Sequence, residues 1–144
     1  MIKNEHQLNA KEKELTNLIV EFLKAEKVEA VEVIANFSKP PLVEFTKGNA
    51  IMLAYQIKPE EVKPPCEEQL HITNNFFEYS EERELFERLM SELTSFCLKH
   101  GNMPIVFVNV VNSFKRKLES YGGKEHRGGE DMAIFPEDWK IVKP

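Results

Sequence analysis

Apolar residues run almost without interruption through Met103–Val111, and this run predicts a strand buried on both faces of a sheet. An amphipathic pattern over 81–100 leads into the strand and predicts a long helix that covers the sheet. Ser80 is placed to cap the start of this helix, and Gly101 is placed to end it. The residues predicted to face the core are Leu85, Leu89, Leu93, Phe96 and Cys97.

A second long helix is predicted over 10–27, because Asn9 and Glu12 have the spacing of a capping box. Its apolar residues recur every three or four positions, which indicates one buried stripe. We interpret the stripe as a cover for the protein's own sheet rather than a partner-binding surface, since domains are commonly built this way. Residues 1–8 are expected to be a frayed lead-in. The stripe consists of Leu15, Leu18, Ile19, Phe22 and Leu23.

Three strands are predicted between the two helices. Side chains alternate in character from Val31 to Phe37, with the period of two that is typical of a strand. Two further apolar runs, Leu42–Phe45 and Ala50–Ile57, flank the turn signal Lys47-Gly48-Asn49. This arrangement predicts an antiparallel hairpin.

The remaining segments complete one domain over residues 1–144. The Pro-rich segment 59–69 predicts a loop, and 71–79 predicts a short additional strand. Residues 113–120 suit a short helix, and the apolar tail 132–144 is expected to fold back on the body. The predicted fold is α+β, with a mixed sheet of about four to six strands packed by two long amphipathic helices. The predicted order is α-β-β-β-(β)-α-β-α-β.

Composition narrows the classes of function. Nineteen Lys and Arg face twenty-four Asp and Glu, and the resulting formal charge of −5 argues against non-specific binding to nucleic acid or anionic membrane. Two cysteines are too few for a disulfide framework. The polar N-terminus lacks an apolar signal core, and no apolar run approaches the roughly 18 residues of a membrane span. We therefore expect a cytoplasmic protein without a membrane partner, and a homo-oligomer is plausible.

A Gly-rich charged loop over 121–131 is the best candidate for a binding site. It holds four of the six glycines, and paired glycines allow positive φ angles or close approach of the backbone to a ligand. The loop matches no phosphate-binding fingerprint, and the alternative interpretation is a mixed-charge surface loop. Basic side chains here would hold an anion, with aromatic rings as a packing wall. The predicted ligand-binding residues are Lys124, His126, Arg127, Tyr121 and Trp139.

Zinc ligation is a weaker possibility. Cys66 and His71 are five residues apart, and Cys97 and His100 are three apart. Two cysteines and two histidines could complete a tetrahedral zinc site. However, the spacing between the pairs fits no standard zinc module, and Cys97 falls on the buried stripe of its helix. No metal ligand is therefore assigned, and the sequence identifies no cofactor.

The predicted order of helix, three strands, helix and strand resembles the core of the restriction-endonuclease-like nucleases over about residues 10–111. That resemblance implies an acidic residue near the second strand and a Glu-x-Lys pair on the next, which together hold magnesium against a phosphodiester. Glu44 matches the first acid. Ala54 and Gln56 stand where the acid and the lysine should be, so the implied catalytic site is incomplete.

The sequence thus favours a non-enzymatic binding module that recognises a protein partner or a small anionic ligand. The reason is that the predicted elements form a complete fold, whereas the sequence contains no convincing set of catalytic residues. The alternative is a metal-dependent hydrolase or nuclease-like protein that acts on nucleic acid or a phosphate ester. Its candidate residues are Glu44, His126, Glu130 and Asp131.

Overall fold

The computed structural model describes residues 2–59, 68–75, 83–126 and 129–140. Within these residues it contains three α-helices and one mixed sheet of eight strands. The helices are α1 (Ala10–Ala25), α2 (Arg83–Lys99) and α3 (Asn112–Ser120). The strands are β1 (Ile2–Lys3), β2 (Val31–Ala35), β3 (Val43–Lys47), β4 (Ala50–Pro59), β5 (Glu68–Asn75), β6 (Ile105–Phe107), β7 (Lys124–His126) and β8 (Asp131–Ile134).

The strands lie in the order β1-β2-β3-β4-β5-β6-β8-β7. Strands β2 to β5 form an antiparallel series, whereas β6 runs parallel to β5 because α2 crosses over between them. The predicted hairpin is confirmed, and Glu44 pairs with Ala54 across it. The α+β class and the mixed sheet are also confirmed.

The predicted number of strands was wrong, because two short strands, β1 and β7, add to the six of the predicted order, whose last strand corresponds to β8 in the tail. Strand β1 pairs with β2, although residues 1–8 were expected to fray, and Ile2 and Leu8 are both buried. At the other edge, β7 lies within the Gly-rich segment 121–131 and pairs antiparallel with β8, which begins at Asp131 and continues beyond that segment. Segments of two to four residues are too short to show a periodic pattern, so pairing with a neighbouring strand defines them.

Other boundaries shifted as well. Strand β2 ends at Ala35, and Phe37 beyond it is 71% exposed. Strand β5 starts at Glu68, earlier than predicted, while Phe76 and Phe77 lie outside the described residues. Most of the predicted Pro-rich loop, residues 60–67 with Cys66, lies outside the described residues. The predicted helix cap Ser80 lies outside them too.

Helix α1 begins as predicted. Asn9 Oδ1 accepts a hydrogen bond from the Glu12 backbone N–H, and Glu12 Oε1 accepts one from the Asn9 backbone N–H, both at 2.8 Å. These two bonds satisfy backbone donors that the first turn of a helix leaves unpaired. The predicted capping box is therefore confirmed.

All three helices contact the same face of the sheet. Tyr55 and Ile72 are cross-strand partners, as are Ile72 and Phe107, so their side chains share that face. Thr16 of α1 meets Tyr55, and Phe114 of α3 packs edge-on against Phe107 with ring centroids 5.6 Å apart. Several α2 residues surround Ile72 and Phe107. The opposite face carries Ile34, Glu44, Ala54, Gln56, His71, Val106, Ala133 and Lys124. We call it the helix-free face, because none of the three described α-helices packs on it.

The core lies between the helices and this shared face. The predicted α2 stripe is confirmed, since Leu85, Leu89, Leu93, Phe96 and Cys97 are all buried. The strand predicted over Met103–Val111 is shorter, since β6 covers only Ile105–Phe107 and Val111 is 40% exposed. The three residues of β6 are at most 1% exposed, as expected for an inner strand. Among the described residues, no helix has both the length and the apolar character needed to cross a membrane.

Candidate functional site: an acidic cleft between two helices

A cleft of about 680 Å³ lies between α1 and α2, where the two helices pack side by side on the sheet. This volume falls within the range of small-molecule and peptide-anchoring pockets in proteins. We call it the interhelical cleft. It is lined by Leu18, Glu21, Phe22, Ala25, Glu26, Glu84, Glu87, Arg88, Ser91 and Glu92.

The floor of the interhelical cleft is apolar. The sequence predicted that Leu18 and Phe22 belong to the buried stripe of α1, but both are only partly buried. Each precedes a fully buried stripe residue by one position, and one position rotates a helical side chain by about 100°. They therefore extend the apolar surface sideways, off the sheet and into the cleft. The sequence did contain a signal for this apolar surface, because the apolar stripe of α1 is wider than the part that the sheet covers.

The walls of the interhelical cleft are strongly acidic. Five of its lining residues are glutamates, and one is an arginine. Arg88 spans the cleft, because its Nε atom lies 3.2 Å from an oxygen of Glu26, the residue that follows α1. Its guanidinium also lies 3.9 Å from Glu84. Lys24, outside the lining, also lies 3.6 Å from Glu21. Among the described residues, these two cations face five carboxylates, so the cleft keeps a net negative charge.

The carboxylate of Glu87 is held in place by a residue outside the lining of the cleft. Tyr121 donates a hydrogen bond from its hydroxyl to Glu87 Oε1 at 2.9 Å. Tyr121 itself is 2% exposed, since it follows α3 and packs under α2. The sequence placed Tyr121 at a ligand-binding loop; in the structure its hydroxyl orients one wall of the interhelical cleft.

The aromatic rings predicted to form a ligand wall instead pack on each other. Tyr121 and Trp139 stack with centroids 4.9 Å apart and planes inclined by 23°. Phe86 of α2 contacts both rings, at 5.4 and 6.2 Å. The described part of the apolar tail, 132–140, thus folds back on the body as predicted, whereas 141–144 lie outside the described residues. Trp139 belongs to an aromatic cluster beside the core.

The first glycine pair of the predicted loop, Gly122 and Gly123, allows the chain to pack closely on itself. A Cβ atom at Gly122 would lie 2.1 Å from the backbone oxygen of Asp138, and Gly122 has φ +101°. A Cβ atom at Gly123 would lie 2.8 Å from the Leu118 carbonyl oxygen. Any side chain would clash at these distances. The glycine pair is therefore explained by a tight turn after α3 without a ligand.

The charged residues of the same segment are spread along β7 and β8. Lys124 is exposed and lies 3.7 Å from Asp138. His126 is half-buried, and its Nε2 atom makes no hydrogen bond among the described residues. Asp131 accepts a hydrogen bond at 3.0 Å from the Asn109 backbone, whereas the Glu130 side chain is exposed. Arg127 lies outside the described residues.

The residues considered for zinc are not brought together where the structure describes them. Cys97 lies in the core on the helix-covered side, and burial raises the pKa of its thiol to about 12. His71 lies on the helix-free face of β5, and His100 pairs with Glu14 at 2.9 Å. Over the described ranges, no group of three or more His, Cys, Asp or Glu side chains is arranged to hold a metal ion.

Glu44, the acid suggested by the nuclease resemblance, lies on the helix-free face of β3. Its carboxylate accepts a hydrogen bond from the Asn36 side chain. Its cross-strand partner is Ala54, so the position opposite Glu44 supplies no metal ligand. The geometry around Glu44 adds nothing in favour of the hydrolase alternative.

Comparison with known proteins adds no assignment: no protein-family model matches the chain, and no curated protein matches it. The interhelical cleft therefore has to be interpreted from its own residues.

Proposed function

We propose that the protein is a non-enzymatic interaction module, and that its interhelical cleft binds a cationic amphipathic helix of a protein partner. The observation that carries the proposal is an apolar floor between walls that hold five carboxylates and one guanidinium. An amphipathic helix that enters a groove places its apolar residues on such a floor. Its Lys and Arg side chains would then meet the glutamates.

The two components of the cleft have different physical roles. Leu18 and Phe22 offer partly exposed apolar surface, whose removal from water contributes about 25 cal/mol per Å². The carboxylates speed association and select the sign of the partner's charge, and dissolved salt screens their effect. Binding should therefore weaken with salt but survive at high salt, because the apolar contribution remains.

The test uses a synthetic peptide of about 18 residues that repeats Leu and Lys with helical periodicity. A peptide of the same pattern with Glu in place of Lys is the charge control. Binding to the purified full-length chain is measured by fluorescence anisotropy at low and at high salt. We expect the Lys peptide to bind more weakly as salt rises and the Glu peptide not to bind.

Matched variants locate the binding. Glu21 and Glu92 are exposed cleft residues, so the double variant Glu21→Gln/Glu92→Gln should fold normally. It should bind the Lys peptide about twofold to thirtyfold more weakly, at about 0.2–1 kcal/mol per exposed charge. The control is Glu119→Gln/Glu137→Gln, which removes two exposed carboxylates outside the cleft. An equal loss of affinity in both variants would mean that only the net charge of the protein matters, and it would contradict binding in the interhelical cleft.

A small anionic ligand at the 121–131 segment is the second candidate function. What supports it is His126, whose buried Nε2 atom makes no hydrogen bond among the described residues and so could accept or donate one to a ligand. Lys124 and Arg127 would supply the positive charge. Arg127→Ala should weaken binding of inorganic phosphate, measured by calorimetry, and leave the thermal midpoint unchanged; unchanged phosphate affinity would count against this site.

A further inference from the structure

A second concave site lies on the other side of α1, between its C-terminal end and strands β2 and β3. Its volume is about 490 Å³, within the usual range of ligand pockets, and it shares no lining residue with the interhelical cleft. We call it the α1–β2 pocket. It is lined by Val20, Leu23, Lys24, Lys27, Val28, Glu29, Ala30, Val31, Val33 and Phe45.

The α1–β2 pocket is apolar inside and charged at its mouth. Leu23, Val33 and Phe45 are at most 6% exposed and form the inner wall. Lys24, Lys27 and Glu29 are exposed, so they stand at the mouth. An apolar wall with a few polar groups at one end is how proteins orient ligands that have an apolar body and one polar group.

The backbone around the mouth is strained. Lys27 and Ala30 both have φ of +60°, although neither is glycine. Residues with a Cβ atom rarely adopt this left-handed conformation, and such residues cluster at functional sites. The backbone N–H of Val28 donates to the Leu23 carbonyl at 2.9 Å, which closes the end of α1 and fixes the turn. Lys27 follows the last turn of α1, where a left-handed residue commonly ends a helix, and Ala30 directly precedes β2.

We propose that the α1–β2 pocket binds a free monocarboxylate with a medium-length alkyl chain. The chain would lie along Leu23, Val33 and Phe45, and the carboxylate would meet the ammonium groups at the mouth. Lys24 forms an exposed ion pair with Glu21 at 3.6 Å, so a bound carboxylate would compete with Glu21 for Lys24 and would meet Lys27 directly. Glu29 is the one acidic side chain in the lining, and it opposes the ligand's charge.

The experiment titrates the full-length chain with decanoate, and with decanol and octanoate as comparison ligands, by calorimetry at low salt. Decanoate should bind at one site per chain, and more tightly than decanol. Each methylene buried contributes about fourfold in affinity, so octanoate should bind up to about sixteenfold more weakly. Absence of decanoate binding, or equal affinity for decanoate and decanol, would overturn the proposal.

Surface variants place the ligand at this pocket. Lys24→Met/Lys27→Met should weaken decanoate binding about tenfold and leave decanol unaffected. The control Lys13→Met/Lys140→Met removes two exposed ammonium groups elsewhere and should change nothing. Glu29→Gln should strengthen decanoate binding. Equal effects of the two lysine pairs would overturn the assignment, as would binding of anionic phosphatidylglycerol vesicles without binding of free decanoate.

Discussion

The hydroxyl groups of Thr16 and Tyr55 lie 2.6 Å apart, buried between α1 and β4. Thr16 Oγ1 donates its single proton to the Glu12 carbonyl at 2.8 Å, so Tyr55 must donate to Thr16. Burial raises the pKa of Tyr55 above its ordinary value, which keeps this donor protonated. This polar pair within an apolar interface fixes the position of α1 over the sheet.

Thr16→Val should lower the free energy of unfolding by about 1–3 kcal/mol, because it leaves the Tyr55 hydroxyl buried without an acceptor. Tyr55→Phe should cost less, about 1 kcal/mol, since Thr16 keeps its bond to the Glu12 carbonyl. The double variant should be less destabilised than the sum of the two. Urea unfolding measures all three. Thr46→Val, at a half-buried strand position, is the matched control, and an equal cost there would contradict the role of the pair.

Trp139→Ala should lower the free energy of unfolding by about 2–4 kcal/mol, because Trp139 stacks on Tyr121 and also contacts Phe86. Trp139→Phe should cost less than half as much, since a smaller ring can keep the stack. Thermal unfolding followed by circular dichroism gives both values. Unchanged stability of the alanine variant would mean that Trp139 is available for the ligand role that the sequence suggested.

Glu14 should make stability depend on pH in the acid range. Hydrogen bonds from His100 and Lys99 lower the pKa of the Glu14 carboxyl in the folded chain. A folded-state pKa below the unfolded one stabilises the protein above the unfolded value, about 4.3, and this contribution is lost as pH falls through the folded value. Glu14→Gln should therefore be less stable than the wild type at pH 6, and the difference should be smaller at pH 3. Urea unfolding at both pH values checks this, and a constant difference would contradict it.

Cys97 should be unreactive in the folded protein. The raised pKa of its thiol, about 12, leaves almost no thiolate near neutral pH, and the side chain is fully buried. In the single-cysteine variant Cys66→Ser, iodoacetamide at pH 8 should label Cys97 only after unfolding in guanidinium. The Cys97→Ser variant is the complementary control, because it leaves Cys66 alone. Rapid labelling of folded Cys66→Ser would show that α2 does not bury its stripe.

The sequence by itself determined the elements with strong periodic signals. The capping residues Asn9 and Glu12, the apolar stripe of α2 and the hairpin around Gly48 are all as expected. In each case the signal is local, because helix caps, amphipathic periods and turn residues act within a few positions of one another. These signals were sufficient to predict an α+β fold with a mixed sheet.

Tertiary structure alone decided the edges of the sheet and the candidate sites. Strands β1 and β7 form because neighbouring strands offer unpaired hydrogen-bonding groups, a condition that no local pattern encodes. Tyr121 and Trp139 meet only after the tail returns across α2. Glu26 and Arg88 are 62 positions apart in the chain and meet only when α1 and α2 pack together. Contacts between distant residues depend on how the elements pack, and for that reason the interhelical cleft and the α1–β2 pocket emerged from the fold.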